Sequence, residues 1–141
     1  GLTCIRAAAA DARERHAAWE GQADVVMADV PCSGLGIIRK KPDIRYKNPK
    51  ELAQLPLVQR AILENASGYV RPGGTLVYST CTVLPEENED VTGDFLDKHP
   101  EFEPVRTAFP LPVGPCPGQV TLWPQRHGTD GFYICRMRRK D

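Results

Sequence analysis

Two short apolar runs, each closed by a small polar cluster, constrain this chain more than any other feature. Residues 23–28 read ADVVMA and are followed by Asp29 and Pro31; residues 75–79 read TLVYS and run into Thr80-Cys81-Thr82. Both are too short for helices, and their near-continuous apolar character is that of strands buried on both faces. Between them, Leu52, Leu55, Val58, Ile62 and Leu63 recur at helical intervals behind Pro49 and Glu51, in a pattern that runs to Val70. Strand, helix, strand in that order predicts two parallel strands joined by a helical crossover, whose ends share one rim.

The remaining punctuation extends this pattern. Pro56 marks a break between two helices, and Pro72-Gly73-Gly74 reads as the turn before the second strand. Residues 85–98 read as a further helix, with Pro85 at its start and Glu86, Glu87 and Glu89 near the positive end of its dipole. Residues 3–10 (TCIRAAAA) read as a strand ending at Asp11, although the alanine run also suits a helix. Residues 11–19 read as a loop or short helix, and 103–119, rich in Pro and Gly, as an irregular surface excursion. Residues 120–123 and 132–137 then form a terminal pair of strands. The expected class is α/β: a mostly parallel sheet with a terminal antiparallel strand pair.

Composition narrows the partners. The 141 residues suit one domain or part of one. Lys plus Arg and Asp plus Glu both number 18, so any affinity for nucleic acid must come from local patches. No apolar run approaches the roughly 20 residues needed to span a bilayer, so no membrane partner is expected. Five cysteines, widely spread and without C-x-x-C spacing, argue against a disulfide framework or a zinc site and for a reducing cytoplasm. His16, His99 and His127 lack metal-ligand spacing and are expected at the surface; no metal is expected. The chain opens at Gly1 without Met, close to a strand-like stretch, which reads as a fragment of a longer protein.

Asp11, Asp29 with Cys32, and Cys81 each follow a candidate strand, so three strand ends converge on one rim. Two cysteines and a carboxylate there suit covalent catalysis, because a thiolate is a strong, soft nucleophile even when only slightly ionised. One such use is conjugate addition to C6 of a pyrimidine, which makes C5 electron-rich enough to accept a methyl group. Each residue alone also has a plainer reading. Cys32 or Cys81 could be a small core hydrophobe, as Cys4, Cys116 and Cys135 are expected to be, and Asp29 could be a turn former. Gly34-Leu35-Gly36 reads as a plain turn. Between Arg39 and Lys50, six cations (Arg39, Lys40, Lys41, Arg45, Lys47, Lys50) face one acid, Asp43, with Tyr46 among them. That stretch suits a phosphate backbone and a stacked base, and equally a solvated loop. Arg136, Arg138, Arg139 and Lys140 suit a strand edge or a frayed terminus.

DVPCSGLGIIRKKPDIRY, from Asp29 to Tyr46, resembles the D-x-P-C-S motif and following basic stretch of Sun/Fmu-type (RsmB-like) RNA cytosine-5 methyltransferases. RPGGTLVYSTCTVLPEENEDV, from Arg71 to Val91, is similar to their T-C motif and the helix behind it. HGTDGFYICRMRR, from His127 to Arg139, is similar to their closing strand. The resemblance covers essentially the whole chain and implies a Rossmann-like class I methyltransferase fold. It implies methylation of cytosine C5 in RNA, small-subunit ribosomal RNA above all, with S-adenosyl-L-methionine as donor. Cys81 would be the nucleophile and Cys32 would assist product release. Asp11 would accept from the adenine amino group and Asp29 would lie between donor and base; Arg39, Lys40, Lys41 and Arg45 would face RNA. A non-catalytic RNA-binding or assembly module on the same fold, and the same chemistry on transfer RNA or DNA, are the competing expectations.

The family's glycine-rich first motif and ribose-binding acid find no match here, and would precede Gly1. Residues 1–141 therefore read as the C-terminal part of the catalytic domain. A sheet without its first strands leaves an unpaired edge, through which self-association is expected unless it is covered. The isolated chain is expected to bind S-adenosylmethionine poorly and to turn over little; micromolar binding in a calorimetric titration of this chain alone would overturn that.

Overall fold

In the computed structural model, which describes residues 3–141, the sheet is built around β2 (Val70–Thr80). β1 (Ala23–Asp29) pairs with it in parallel, and β7 (Phe132–Arg139) lies antiparallel on its other side. β3 (Phe102–Pro104) and β6 (Gln119–Leu122) share the far edge of β7, and β6–β7 is the expected terminal antiparallel pair. β4 (Thr107–Ala108) and β5 (Pro115–Cys116) form a separate two-stranded ladder. The crossover from β1 to β2 carries α1 (Pro49–Leu52) and α2 (Leu55–Ser67). α3 (Glu89–Lys98) follows β2, and the short α4 (Pro124–His127) links β6 to β7.

Period-two alternation decides which face carries the core. Leu76 and Tyr78 of β2 lie beside Val26 and Ala28 of β1 and beside Met137 and Cys135 of β7, all on the face that α2 and α3 cover. α2 contributes Ile62, Leu63 and Ala66, and α3 contributes Val91 and Phe95. Burying each of the larger side chains fully is worth about 1.5–3 kcal/mol. Tyr78 and Tyr133 meet edge-on with ring centroids 6.2 Å apart.

Several expectations change. Residues 3–10 form no strand: they are exposed and join no ladder, and an extended chain without a partner cannot satisfy its backbone groups as a strand. β1 is not buried on both faces; Val25 and Met27 are 62% and 70% exposed because nothing among the described residues covers that side. Its outer edge is likewise unpaired among the described residues.

Pro72-Gly73-Gly74 is no turn but a bulge within β2, since the register steps from Ala23–Val70 to Val25–Thr75. Gly73 takes φ +72°, and a Cβ on Gly74 would lie 2.8 Å from the Arg71 carbonyl oxygen, so glycine suits both positions. Pro72, lacking an N–H, sits there without losing a ladder bond.

The helix expected over 85–98 breaks at Asn88, between a 3₁₀ turn (Pro85–Glu87) and α3. Residues 103–119 include β4 and β5 rather than being wholly irregular. Cys4 is exposed rather than packed, whereas Cys116 and Cys135 are buried.

The histidines are half-buried, not surface residues. His16 stacks against Trp19, and His127 Nδ1 accepts from the Trp123 amide at 2.8 Å. His99 is clamped between Glu64 and Glu101, at 2.8 and 2.9 Å, and stacks on Phe95. Partial burial pushes the His99 pKa down, but hydrogen bonds to Glu101 and Glu64 outweigh it and leave the pKa raised. A raised folded-state pKa stabilises the fold below the unfolded value and loses that contribution as pH climbs through the folded value. Thermal melts taken from below pH 6.5 upward should show a loss of stability that His99→Gln largely removes.

Candidate active site

Parallel pairing sets Asp29 beside Ser79 at the carboxyl ends of β1 and β2, and the Ser79 hydroxyl donates to Asp29 Oδ1 at 2.9 Å. Two residues beyond Ser79 comes Cys81, and three beyond Asp29 comes Cys32. Their Sγ atoms lie 3.1 Å apart, and the Cys81 amide also donates to Cys32 Sγ at 3.3 Å. Both thiols are half-buried and free. Burial, and then the hydrogen bond to Cys81, push the Cys32 pKa well above the usual thiol value. Cys32 is therefore held as the protonated thiol near neutral pH, in contact with the Cys81 sulfur.

The two cysteine loops are held by contacts that the sequence did not single out. Gly34-Leu35-Gly36 is not a loose turn. The Gly36 amide donates to the Cys81 carbonyl at 3.0 Å, and the Gly36 carbonyl accepts from the Gly131 amide at 2.8 Å. Ser33 Oγ donates to Thr82 Oγ1 at 2.8 Å, joining the residue after Cys32 to the residue after Cys81. The Ser33 amide and Gln59 Nε2 both donate to Glu87 Oε2, at 2.9 and 2.8 Å, and Gln59 Nε2 also donates to the Pro31 carbonyl at 2.9 Å. Asn88 accepts from Thr80 Oγ1 at 2.6 Å and donates to the Thr82 carbonyl at 3.2 Å. Lys47 Nζ donates to the Ser33 carbonyl at 2.8 Å.

One signal for this network was present: Gln59 falls between Leu55 and Leu63 on the apolar side of α2, a polar residue at a core position. Glu87 carried none. An acid at a helix start reads as surface, yet Glu87 is 2% exposed.

Two cavities meet at this rim. One of about 600 Å³ is lined by Asp11, Ala28, Asp29, Pro31, Val58 and Ile62, among others. The second, about 470 Å³, is lined by Asp29, Pro31, Cys32, Cys81, Lys40 and Asp130, among others. Asp29 and Pro31 line both, so the carboxylate stands on the boundary between an apolar-walled pocket and the thiols. Asp11 reaches the first cavity although no strand precedes it, and its carboxylate is held by Arg13 at 2.6 Å, which keeps its pKa well below the usual range. The first cavity has the size and make-up of a small-molecule site, about 300–1,000 Å³ with apolar walls and few polar groups. An adenosine-bearing cofactor fits that description, with a carboxylate acceptor for an exocyclic amine.

The basic residues divide. Arg39 and Lys40 both pair with Asp130, at 3.3 and 2.5 Å, and pull its pKa down, the Lys40 hydrogen bond most strongly. Lys41 and Arg45 are exposed and have no ion pair among the described residues, and Tyr46 beside them is 81% exposed. Among the described residues no group of three or more His, Cys, Asp or Glu could hold a metal ion, and no helix is long and apolar enough to cross a membrane.

The profile of the 16S rRNA methyltransferase RsmB/F family matches residues 1–138. A probable ribosomal RNA small subunit methyltransferase B from Bacillus subtilis is 44% identical over 147 aligned residues, covering 99% of this chain and 33% of that protein. A ribosomal RNA small subunit methyltransferase B from Thermus thermophilus is 41% identical, covering 84% of this chain and 30% of its own length. The solved structure of NSun6 from Pyrococcus horikoshii with SFG superposes with a TM-score of 0.64 at 28% identity, over 82% of this chain and 29% of that one. The chain thus spans about a third of the length of the relatives it matches.

Gly36 should tolerate no side chain, because a Cβ there would lie 2.0 Å from the Gly131 carbonyl oxygen and 2.8 Å from that of Cys81. Gly36→Ala is expected to cost about 1–3 kcal/mol in urea unfolding. Gly93→Ala, in α3 with nothing within 4 Å, should instead gain about 0.5–1 kcal/mol.

Proposed function

This chain belongs to the 16S rRNA methyltransferase RsmB/F family, and from that premise we propose that it carries the thiol half of a catalytic domain that methylates C5 of cytosine in small-subunit ribosomal RNA. The observation that carries the reading is the pair of sulfurs 3.1 Å apart at adjoining strand ends, with Asp29 lining both their cavity and the neighbouring one. S-adenosylmethionine, when bound, supplies an electrophilic methyl group. Asp11, Pro31, Val58 and Ile62 would hold its adenosine, and a family relative solved with SFG, an analogue of that cofactor, supports the choice.

In this reading the Cys81 thiolate adds to C6 of a cytosine turned out of its stack, forming the S–C6 bond and pushing electrons onto C5. Asp29 accepts from the base edge and supports the developing charge at the wall between donor and base. Once C5 is methylated, its proton passes to a base, the C5–H electrons restore the C5–C6 double bond, and the S–C6 bond breaks to return Cys81 as thiolate. Cys32, a protonated thiol in contact with that sulfur, assists this release. Lys41 and Arg45, exposed and without an ion pair among the described residues, and exposed Tyr46 suit a phosphate backbone and a stacked base. Arg39 and Lys40 instead share the single carboxylate of Asp130, and Lys40 and Asp130 line the thiol cavity. Free thiols at both positions call for a reducing compartment, as the cytoplasm is.

The test uses the full-length protein, S-adenosylmethionine and RNA carrying 5-fluorocytosine, whose fluorine cannot leave as a proton does. A covalent adduct on a denaturing gel is expected for the wild type and for Cys32→Ala, and none for Cys81→Ala. Loss with Cys32→Ala alone would reverse the two roles. No adduct in any lane, with RNA still bound, would leave a non-catalytic RNA-binding module.

A further inference from the structure

We infer that Glu87 is a positioning residue for Cys32: with Gln59 it fixes the backbone on both sides of that thiol, and so governs release of the methylated product rather than attack by Cys81. The inference rests on the roles proposed above for the two cysteines. Its own observations are separate. Glu87 is 2% exposed and makes no salt bridge among the described residues, yet its Oε2 accepts two hydrogen bonds, from the Ser33 amide at 2.9 Å and from Gln59 Nε2 at 2.8 Å. That same Gln59 nitrogen donates to the Pro31 carbonyl at 2.9 Å. Pro31 and Ser33 flank Cys32, so one carboxylate and one amide hold the peptide before it and the peptide after it.

The anchor is itself fixed. The Tyr78 hydroxyl donates to the Glu87 carbonyl at 2.6 Å, and Asn88 next to it is tied to Thr80 and Thr82. Glu87 is therefore a rigid strut from the end of β2 to the loop after β1. Burying an acid there carries a desolvation cost that an apolar residue would avoid. Donors of fixed direction on Oε2 offset part of that cost, Oε1 having no partner among the described residues, and they give a placement that packing alone does not provide. Cys81 is held by bonds that the Glu87 side chain does not make: the Gly36 amide donates to its carbonyl, and Asn88 holds Thr80 and Thr82 on either side of it. Loosening Glu87 should thus disturb Cys32 far more than Cys81.

The experiment compares full-length wild type, Glu87→Leu, Glu87→Gln and Gln59→Leu in two assays. One follows the rate of adduct formation on RNA carrying 5-fluorocytosine; the other follows the amount of covalent complex standing on ordinary cytosine RNA during turnover. Misplacement of a catalytic group by about 1 Å costs up to about 100-fold. Glu87→Leu and Gln59→Leu should therefore form the fluorinated adduct near the wild-type rate but accumulate covalent complex through about 10- to 100-fold slower release. Glu87→Gln, which keeps an acceptor for Ser33, should recover most of that release rate. Wild-type release in the leucine variants, or equal loss of attack and release, would overturn the inference. If Glu87→Leu does not fold, Gln59→Leu decides on the same criteria. Amide exchange at Ser33, measured without RNA, should quicken in Glu87→Leu or Gln59→Leu. Faster exchange alongside a wild type that forms no adduct would mean that the reaction reading fails while the strut stands.

Discussion

The parallel pairing of β1 with β2 is the constraint on which the rest of this structure depends. A parallel pair needs a long crossover, and here α1 and α2 supply it. The same crossover packs Ile62, Leu63 and Ala66 onto Leu76 and Tyr78. Parallel strands also end on the same side. Asp29 and Ser79 are therefore neighbours, and the residues just past them, Cys32 and Cys81, have nowhere to go but against each other. An antiparallel pairing of the same segments would set these residues at opposite ends of the sheet.

Beyond the strand ends the means of cohesion changes. The sheet under α2 and α3 is held by apolar side chains at alternate positions. The region around the thiols is held by Ser33, Gln59, Thr80, Thr82, Glu87 and Asn88, all buried and each making at least one hydrogen bond, with Gln59 Oε1 and Glu87 Oε1 left without a partner among the described residues. Apolar packing tolerates sliding of a side chain by a fraction of an ångström, whereas a hydrogen bond weakens steeply with angle. A polar network thus suits a place where two sulfurs must keep one geometry. The close approach of Gly36 to Gly131 serves the same end from the other side, tying the loop after β1 to the start of β7.

Two features set this rim apart from the body of the sheet. Asp29 and Pro31 stand between two cavities, one walled by Val58 and Ile62, the other by the thiols with Lys40 and Asp130. Near the thiols, Arg39 and Lys40 share one carboxylate, Asp130, which offsets one of their two charges. Lys41 and Arg45, without an ion pair among the described residues, do not line the thiol cavity, and Arg45 adjoins the exposed Tyr46. In the proposed reading they serve a phosphate backbone, while the chemistry at the base belongs to the thiols.

Much of this was legible in the residues alone. Short apolar runs and a helical period between them determined strand, helix, strand, and hence the shared rim with Asp29, Cys32 and Cys81. The reason is local: side-chain spacing and proline position act within a few residues. What only the tertiary structure decided was long-range. Residues 3–10 are strand-like in composition but have no partner, so they form no strand. Pro72-Gly73-Gly74 looks like a turn, but the β1 ladder carries on past it and makes it a bulge. Two of the six cations in the basic cluster, Arg39 and Lys40, pair with Asp130, a residue 91 positions from Arg39. Glu87 looked like a helix-start acid on the surface and is a buried acceptor for Ser33, 54 positions away. Periodicity reports which face a residue takes; only the folded chain reports which distant group meets it there.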